Sequence, residues 1–136
     1  MEFDDRLWSK ELIPKRAYFE ILDLASEDYT PLFDCTAVVR PYLAGCAESE
    51  VIDTAKRVVR NLLKREYLEL YYDCLGKSKG GNRHGEKLTP SQAAAELHAY
   101  ENWLYHEPKE PDDRWVTVAL TPHGENALAS GEFADL

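Results

Sequence analysis

The chain is poor in cysteine, and its three thiols, Cys35, Cys46 and Cys74, form no CxxC pair. An odd count at that spacing builds neither a disulfide framework nor a zinc site. Small buried thiols in a reducing compartment are the expectation. Glycine and proline, seven each, are too few for a collagen-like or low-complexity chain. Long apolar runs are missing: none approaches the ~20 residues that a membrane span requires. The opening stretch MEFDDRLWSKEL is acidic and carries no apolar signal-peptide segment. These absences lead to the expectation of a soluble, cytoplasmic protein that does not enter a membrane. Basic residues are also in deficit, 16 Lys and Arg against 25 Asp and Glu, for a net charge of −9. Such a balance argues against coating nucleic acid with the whole surface. HExxH, GxSxG, a P-loop and a GxGxxG in strand context are all absent. No catalytic residue, metal or cofactor is therefore expected, and the chain reads as non-enzymatic.

What is present is an ordinary globular composition, 44% hydrophobic and 30% charged over 136 residues. That length suits one domain, 1–136. A fold of this size buries roughly 68% of the surface of its unfolded chain and needs no covalent staple. The charge is unevenly distributed. Residues 56–87 contain nine basic and four acidic residues, a balance of +5, which leaves −14 for the remainder. The pattern predicts one basic surface on an acidic body.

Pro14 to Ala25 reads as a first helix, with Pro14 in the first turn. Residues 26–35 read as a turn and a short element. Thr36 to Pro41 fits a short strand or part of a helix; Pro41 argues against one continuous helix, because it disfavours α geometry at Arg40. A short helix from Pro41 would end at Gly45. Val51, Ile52, Ala55, Val58, Val59, Leu62 and Leu63 then follow helical spacing without a miss, with Ser49 as candidate N-cap and Glu50 and Asp53 near the positive helix end. From Tyr67 to Asp73 the period changes to two: Leu68, Leu70 and Tyr72 share one strand face, Glu69, Tyr71 and Asp73 the other. Residues 76–87 (GKSKGGNRHGEK) read as a flexible basic loop. Thr89, Pro90 and Gln92 form a capping box for a helix at about 88–106, through Ala93, Leu97, Tyr100 and Leu104. A second loop follows, then a strand Trp115–Leu120, and Thr121-Pro122 starts a last helix that ends near Gly131.

This order resembles a winged helix-turn-helix domain. Val58 to Leu70 (VVRNLLKREYLEL) is similar to a recognition helix running into the first wing strand. Val116 to Glu125 (VTVALTPHGE) is similar to the second wing strand and the helix start of MarR-type and PadR-type regulators. The resemblance implies an α+β, winged-helix-like fold, a helical body with a small antiparallel sheet. It also implies a nucleic-acid-binding, regulatory role. The chain departs from the pattern in three ways, the first that the long dimerisation helices of MarR-type regulators have no room after residue 130. A helix is inserted between the wing strands, and the start of the recognition helix carries Glu48, Glu50 and Asp53. In helix-turn-helix proteins that start is the end that meets the bases.

The candidate contacts to nucleic acid are Lys56, Arg57, Arg60, Lys64 and Arg65 on the helix and Lys77, Lys79 and Arg83 in the loop. The same residues also suit a merely solvated face. Tyr67, Tyr71, Tyr72, Trp103 and Trp115 suit either base stacking or core packing. His98, Glu101, Asn102 and His106 have a spacing that fits a metal or an acid–base pair, or plain surface polarity. An alternative to nucleic acid is an immunity- or antitoxin-like module that covers a basic protein partner. Its contacts would be Asp4-Asp5, Glu48/Glu50/Asp53 and Glu110/Asp112/Asp113. Oligomeric state is open.

Overall fold

A computed structural model describes residues 15–73, 86–107 and 114–131. The fold is α+β, and the described residues form five helices and a four-stranded antiparallel sheet. Helix α1 (Lys15–Glu27) buries Ala17, Tyr18, Ile21, Leu22 and Ala25 on one side. Strand β1 (Thr30–Pro31) leads into α2 (Leu32–Val39), followed by a 3₁₀ turn at Arg40–Leu43. Helix α3 spans Glu48–Lys64, and β2 spans Leu68–Asp73. Strand β3 (Glu86–Lys87) precedes α4 (Pro90–His98) and a second 3₁₀ turn at Tyr100–Trp103. Strand β4 (Trp115–Leu120) and α5 (Pro122–Ser130) complete the described chain.

The strands lie in the order β1-β4-β2-β3. The longest ladder joins β2 to β4, from Leu68 opposite Leu120 to Asp73 opposite Trp115. Leu70 faces Val118 and Tyr72 faces Val116, so one sheet face is apolar across both strands and packs on the helices. Pro31 lies in β1 at the sheet edge, where its missing N–H removes no ladder bond. In α3 the apolar stripe predicted from spacing is buried from Val51 through Leu62, with Leu63 half-buried. Trp103, fully buried, brings the segment after α4 into the same core, and its indole N–H donates to the Leu97 carbonyl at 3.0 Å.

A compact junction joins the end of α3 to the start of α5. Glu66 closes α3 in the left-handed region (φ 61°), with its N–H on Leu63 O and the Tyr67 N–H on Leu62 O. That pair of bonds is a Schellman closure, in which glycine is the usual residue. The Thr121 hydroxyl donates to the Glu66 carbonyl (2.6 Å), and the Thr121 N–H donates to Tyr67 O (3.1 Å). The same hydroxyl accepts from the Gly124 N–H (2.9 Å), capping α5. Gly124 lies so close to this junction that an added Cβ would fall 2.2 Å from Tyr67 O.

The structure departs from the sequence reading at five places. The undecided stretch from Thr36 is helix α2, and Arg40 keeps helical angles (φ −51°, ψ −45°) ahead of Pro41. The chain accommodates the proline by tightening from α to 3₁₀ winding rather than by leaving helical space. Helix α3 begins after Ala47, so Ser49 is inside the helix and not its cap. The basic loop does not extend to residue 87, because Glu86 and Lys87 pair with Tyr72 and Tyr71. The helix expected at about 88–106 stops at His98, since Ala99 is extended (ψ 115°). Helix α1 continues two residues past Ala25, to Glu27. The capping box at Thr89 is present as expected.

Two substitutions test this packing. Gly124→Ala drives a methyl group into a backbone carbonyl and is expected to destabilise the protein by about 3 kcal/mol or more in urea unfolding. Thr36 is buried with its hydroxyl unpartnered among the described residues. Thr36→Val is therefore expected to be neutral or to stabilise by about 1 kcal/mol; a clear loss would mean that the hydroxyl has a partner.

Candidate functional site

Helix α3 divides its surface between two environments. The apolar stripe faces the core, and the opposite side carries the candidate cations. Arg57, Arg60 and Lys64 lie three and four residues apart and share one face. Arg60 and Lys64 are exposed and Arg57 is half-buried. Arg65 follows at the helix end, exposed, as its C-cap. Among the described residues no carboxylate pairs with any of these four. Lys56 is set apart: it is half-buried, and its ammonium reaches the His98 carbonyl at the end of α4 at 3.4 Å. The structure thus gathers Arg57, Arg60 and Lys64 into one stripe, places Arg65 at its end, and directs Lys56 sideways. Lys77, Lys79 and Arg83 lie outside the described residues.

The acidic start of α3 is partly neutralised. Glu48 forms an ion pair with Arg40, and the guanidinium holds its carboxyl below the usual carboxylate range. Asp53 remains exposed on the basic side of the helix. Of the other acidic clusters, Asp4-Asp5 and Glu110/Asp112/Asp113 lie outside the described residues.

Beside the stripe runs a groove of about 1020 Å³. One wall is α3, with Arg60, Leu63 and Lys64; the floor is Leu68 and Leu70 of β2. The other wall is α4, which presents Pro90, Ala93, Ala94 and Leu97 at i, i+3, i+4 and i+7. Lys87, Pro122 and His123 complete the margin. The groove was not foreseen from the sequence. Its signal was there in the four-residue apolar spacing of α4, but that reading needs a partner surface across from it, which only the fold supplies.

The aromatic candidates are engaged internally. Tyr67, Tyr72 and Trp103 are buried. Arg114 lies over the Tyr72 ring, 4.1 Å from its centre. Trp115 donates its indole N–H to His106 O (3.0 Å) and meets Phe33 edge-on. Tyr71 stacks on Tyr29 at 5.2 Å. Tyr71 and Trp115 are half-buried, each with a ring partner inside the protein. The His98, Glu101, Asn102 and His106 set is dispersed by the break at Ala99. Asn102 donates to the Glu96 carbonyl and carboxylate (2.8 and 3.1 Å), and His106 Nδ1 lies 2.9 Å from Leu104 O. Among the described residues no group of three or more metal-ligating side chains is assembled. Burial raises the Cys35 thiol pKa well above its ordinary range, so this cysteine is held protonated and inert. No helix among the described residues is long and apolar enough to cross a membrane.

A comparison with protein-family models gives no match, and comparisons with curated proteins and with solved structures give none either.

The tyrosines supply a pH test. The Tyr71 hydroxyl donates to Glu69 (2.6 Å), and this bond together with burial pushes its pKa up to about 12. Burial and a bond to Glu20 (2.8 Å) push Tyr42 up to about 12 as well. A folded-state pKa above the ordinary 10.0 favours the folded state below pH 10, and that stability is lost as pH rises toward 12. Chemical unfolding is expected to show this decline between pH 10 and 12, with a shallower slope in Tyr71→Phe. An unchanged slope would remove Tyr71 from the effect.

Proposed function

We propose that this chain is a non-catalytic nucleic-acid-binding module that holds the phosphate backbone through the basic stripe of α3. The observation that carries this reading is that Arg57, Arg60, Lys64 and Arg65 have no carboxylate partner among the described residues, in a chain of net charge −9. An acidic protein has an ample supply of carboxylates to neutralise four cations. Leaving them unpaired on one helix keeps their charge available to an outside polyanion. The strand order β1-β4-β2, with α3 leading into β2, also agrees with the winged-helix resemblance and supports a recognition role for α3.

The mode of binding is backbone contact rather than base readout. A major groove about 12 Å wide admits one helix, itself about 10–12 Å across. Helix α3 has α4 alongside, linked through Lys56 and His98, so the pair presents a broader surface than a single helix. Asp53, exposed on the basic side of α3, would meet phosphates or base edges unfavourably if that end of the helix were inserted.

Fluorescence anisotropy with random-sequence duplex DNA tests the reading. Each phosphate contact contributes about 0.9 to the slope of log affinity against log salt, so four contacts predict roughly a hundredfold loss between about 50 and 200 mM salt. Arg57→Glu with Arg60→Glu is expected to lower low-salt affinity at least about tenfold and to reduce the slope by about two. An unchanged slope would remove these residues from the interface, and no binding at low salt would overturn the proposal.

A further inference from the structure

The groove between α3 and α4 has a chemistry that phosphate binding does not use. Its floor and α4 wall are aliphatic, from Leu68 and Leu70 to Ala93, Ala94 and Leu97. Among the described residues it contains no Phe, Tyr or Trp. Bases of single strands are held by aromatic faces, whereas aliphatic surface of this kind takes aliphatic side chains. Leu68, Leu70, Leu88 and Leu97 belong to the core, and the apolar surface left open above them is that of Leu63, Pro90, Ala93 and Ala94; apolar surface between two helices receives the apolar face of a third.

Charge at the margin selects among such helices. Arg60 and Lys64 stand four residues apart on the α3 wall, about 6 Å along its axis at 1.5 Å per residue. Two carboxylates at i and i+4 of a neighbouring helix have the same separation. The groove's own acids do not cancel that wall. Glu69 is occupied by Lys87 (3.4 Å) and by the Tyr71 hydroxyl (2.6 Å). Glu66 lies at the α3–β2 corner, so it disfavours an acidic residue at that end alone and helps set direction. Size agrees as well. The α4 wall runs from Pro90 to Leu97, about 10 Å along its axis at 1.5 Å per residue, and so faces about two turns of a docked helix.

We propose that the α3–α4 groove is a docking site for an acidic amphipathic helix of a partner protein, with its apolar face against the accessible side chains Leu63, Pro90, Ala93 and Ala94 and its carboxylates on Arg60 and Lys64. This assignment does not depend on nucleic-acid binding. Because Arg60 and Lys64 serve both ligands, a docked acidic helix would exclude nucleic acid from that part of the stripe.

The probe is a random peptide library displayed on phage and selected against the full chain, followed by anisotropy of the enriched peptides. The expected result is enrichment of Leu, Ile or Met at i, i+3 or i+4 and i+7, with Asp or Glu at i and i+4. Ala94→Trp, a change at an exposed position that fills the groove, is expected to weaken these peptides at least tenfold. The same variant should leave duplex DNA binding unchanged, because it spares Arg57, Arg60 and Lys64. Arg60→Glu with Lys64→Glu, both exposed, should weaken the peptides at least fivefold without unfolding the protein. No enrichment, enrichment without the acidic helical pattern, or peptide binding indifferent to Ala94→Trp would each overturn the proposal. So would loss of DNA binding in Ala94→Trp, which would assign the groove to nucleic acid.

Discussion

The Thr121 hydroxyl donates to the Glu66 carbonyl and accepts from the Gly124 N–H, so one oxygen joins the end of α3 to the start of α5. The rest of the arrangement depends on this junction and on the ladder it terminates. Strands β2 and β4 are far apart in sequence, with β3 and α4 between them, yet they pair over six residues each. Bringing such distant segments together has an entropic cost that local contacts do not offset. Six cross-strand pairs with an apolar face offset it, and the Thr121 junction sets their register from one end. A slip of one residue would turn Leu68, Leu70 and Tyr72 away from the helices and bring Glu69 and Tyr71 in.

The junction also orients α3, and α3 is the element on which core and surface meet. Its apolar stripe is the largest single contribution of one helix to the core, and its other side carries the cations. A helix with both roles cannot rotate to hide its charges without exposing Val51, Ile52, Val58 and Leu62. Burial of those side chains, about 1.5–3 kcal/mol each, is what holds Arg57, Arg60 and Lys64 outward. Trp103 has a similar role for the inserted segment. Its complete burial, with the indole bonded to Leu97 O, fixes the end of α4 and so the distance at which α4 faces α3.

Local patterns in the chain were legible where one physical signal dominated. The α3 stripe, the alternation of β2, the Thr89-Pro90-Gln92 cap and the Thr121-Pro122 start of α5 depend on neighbours within a few residues, and each is present. The stretch around Pro41 was ambiguous because the proline rule acts on one residue's preference, while packing of Leu32, Cys35, Thr36 and Val39 against the core selected the helix. The early end of α4 was hidden for the same reason. Tyr100 and Leu104 continue its apolar spacing, but burial of Trp103 is reached through an extended Ala99 and a 3₁₀ turn instead. Two-residue strands such as β1 and β3 have too little pattern to be seen alone; each exists by virtue of the longer strand beside it.

By itself the sequence determined the α+β class, the amphipathic division of α3 and the concentration of positive charge along it, because period, capping and charge are properties of adjacent residues. Tertiary structure decided which of those charges act together. It turned Lys56 toward His98, left Arg57, Arg60 and Lys64 as one stripe, and used the aromatic rings as packing. It also created the groove, whose walls come from segments about thirty residues apart, since α3 and α4 are brought face to face only when β2 pairs with β3 and β4. Juxtaposition of distant segments depends on the shared core they bury, and no window of neighbouring residues contains it.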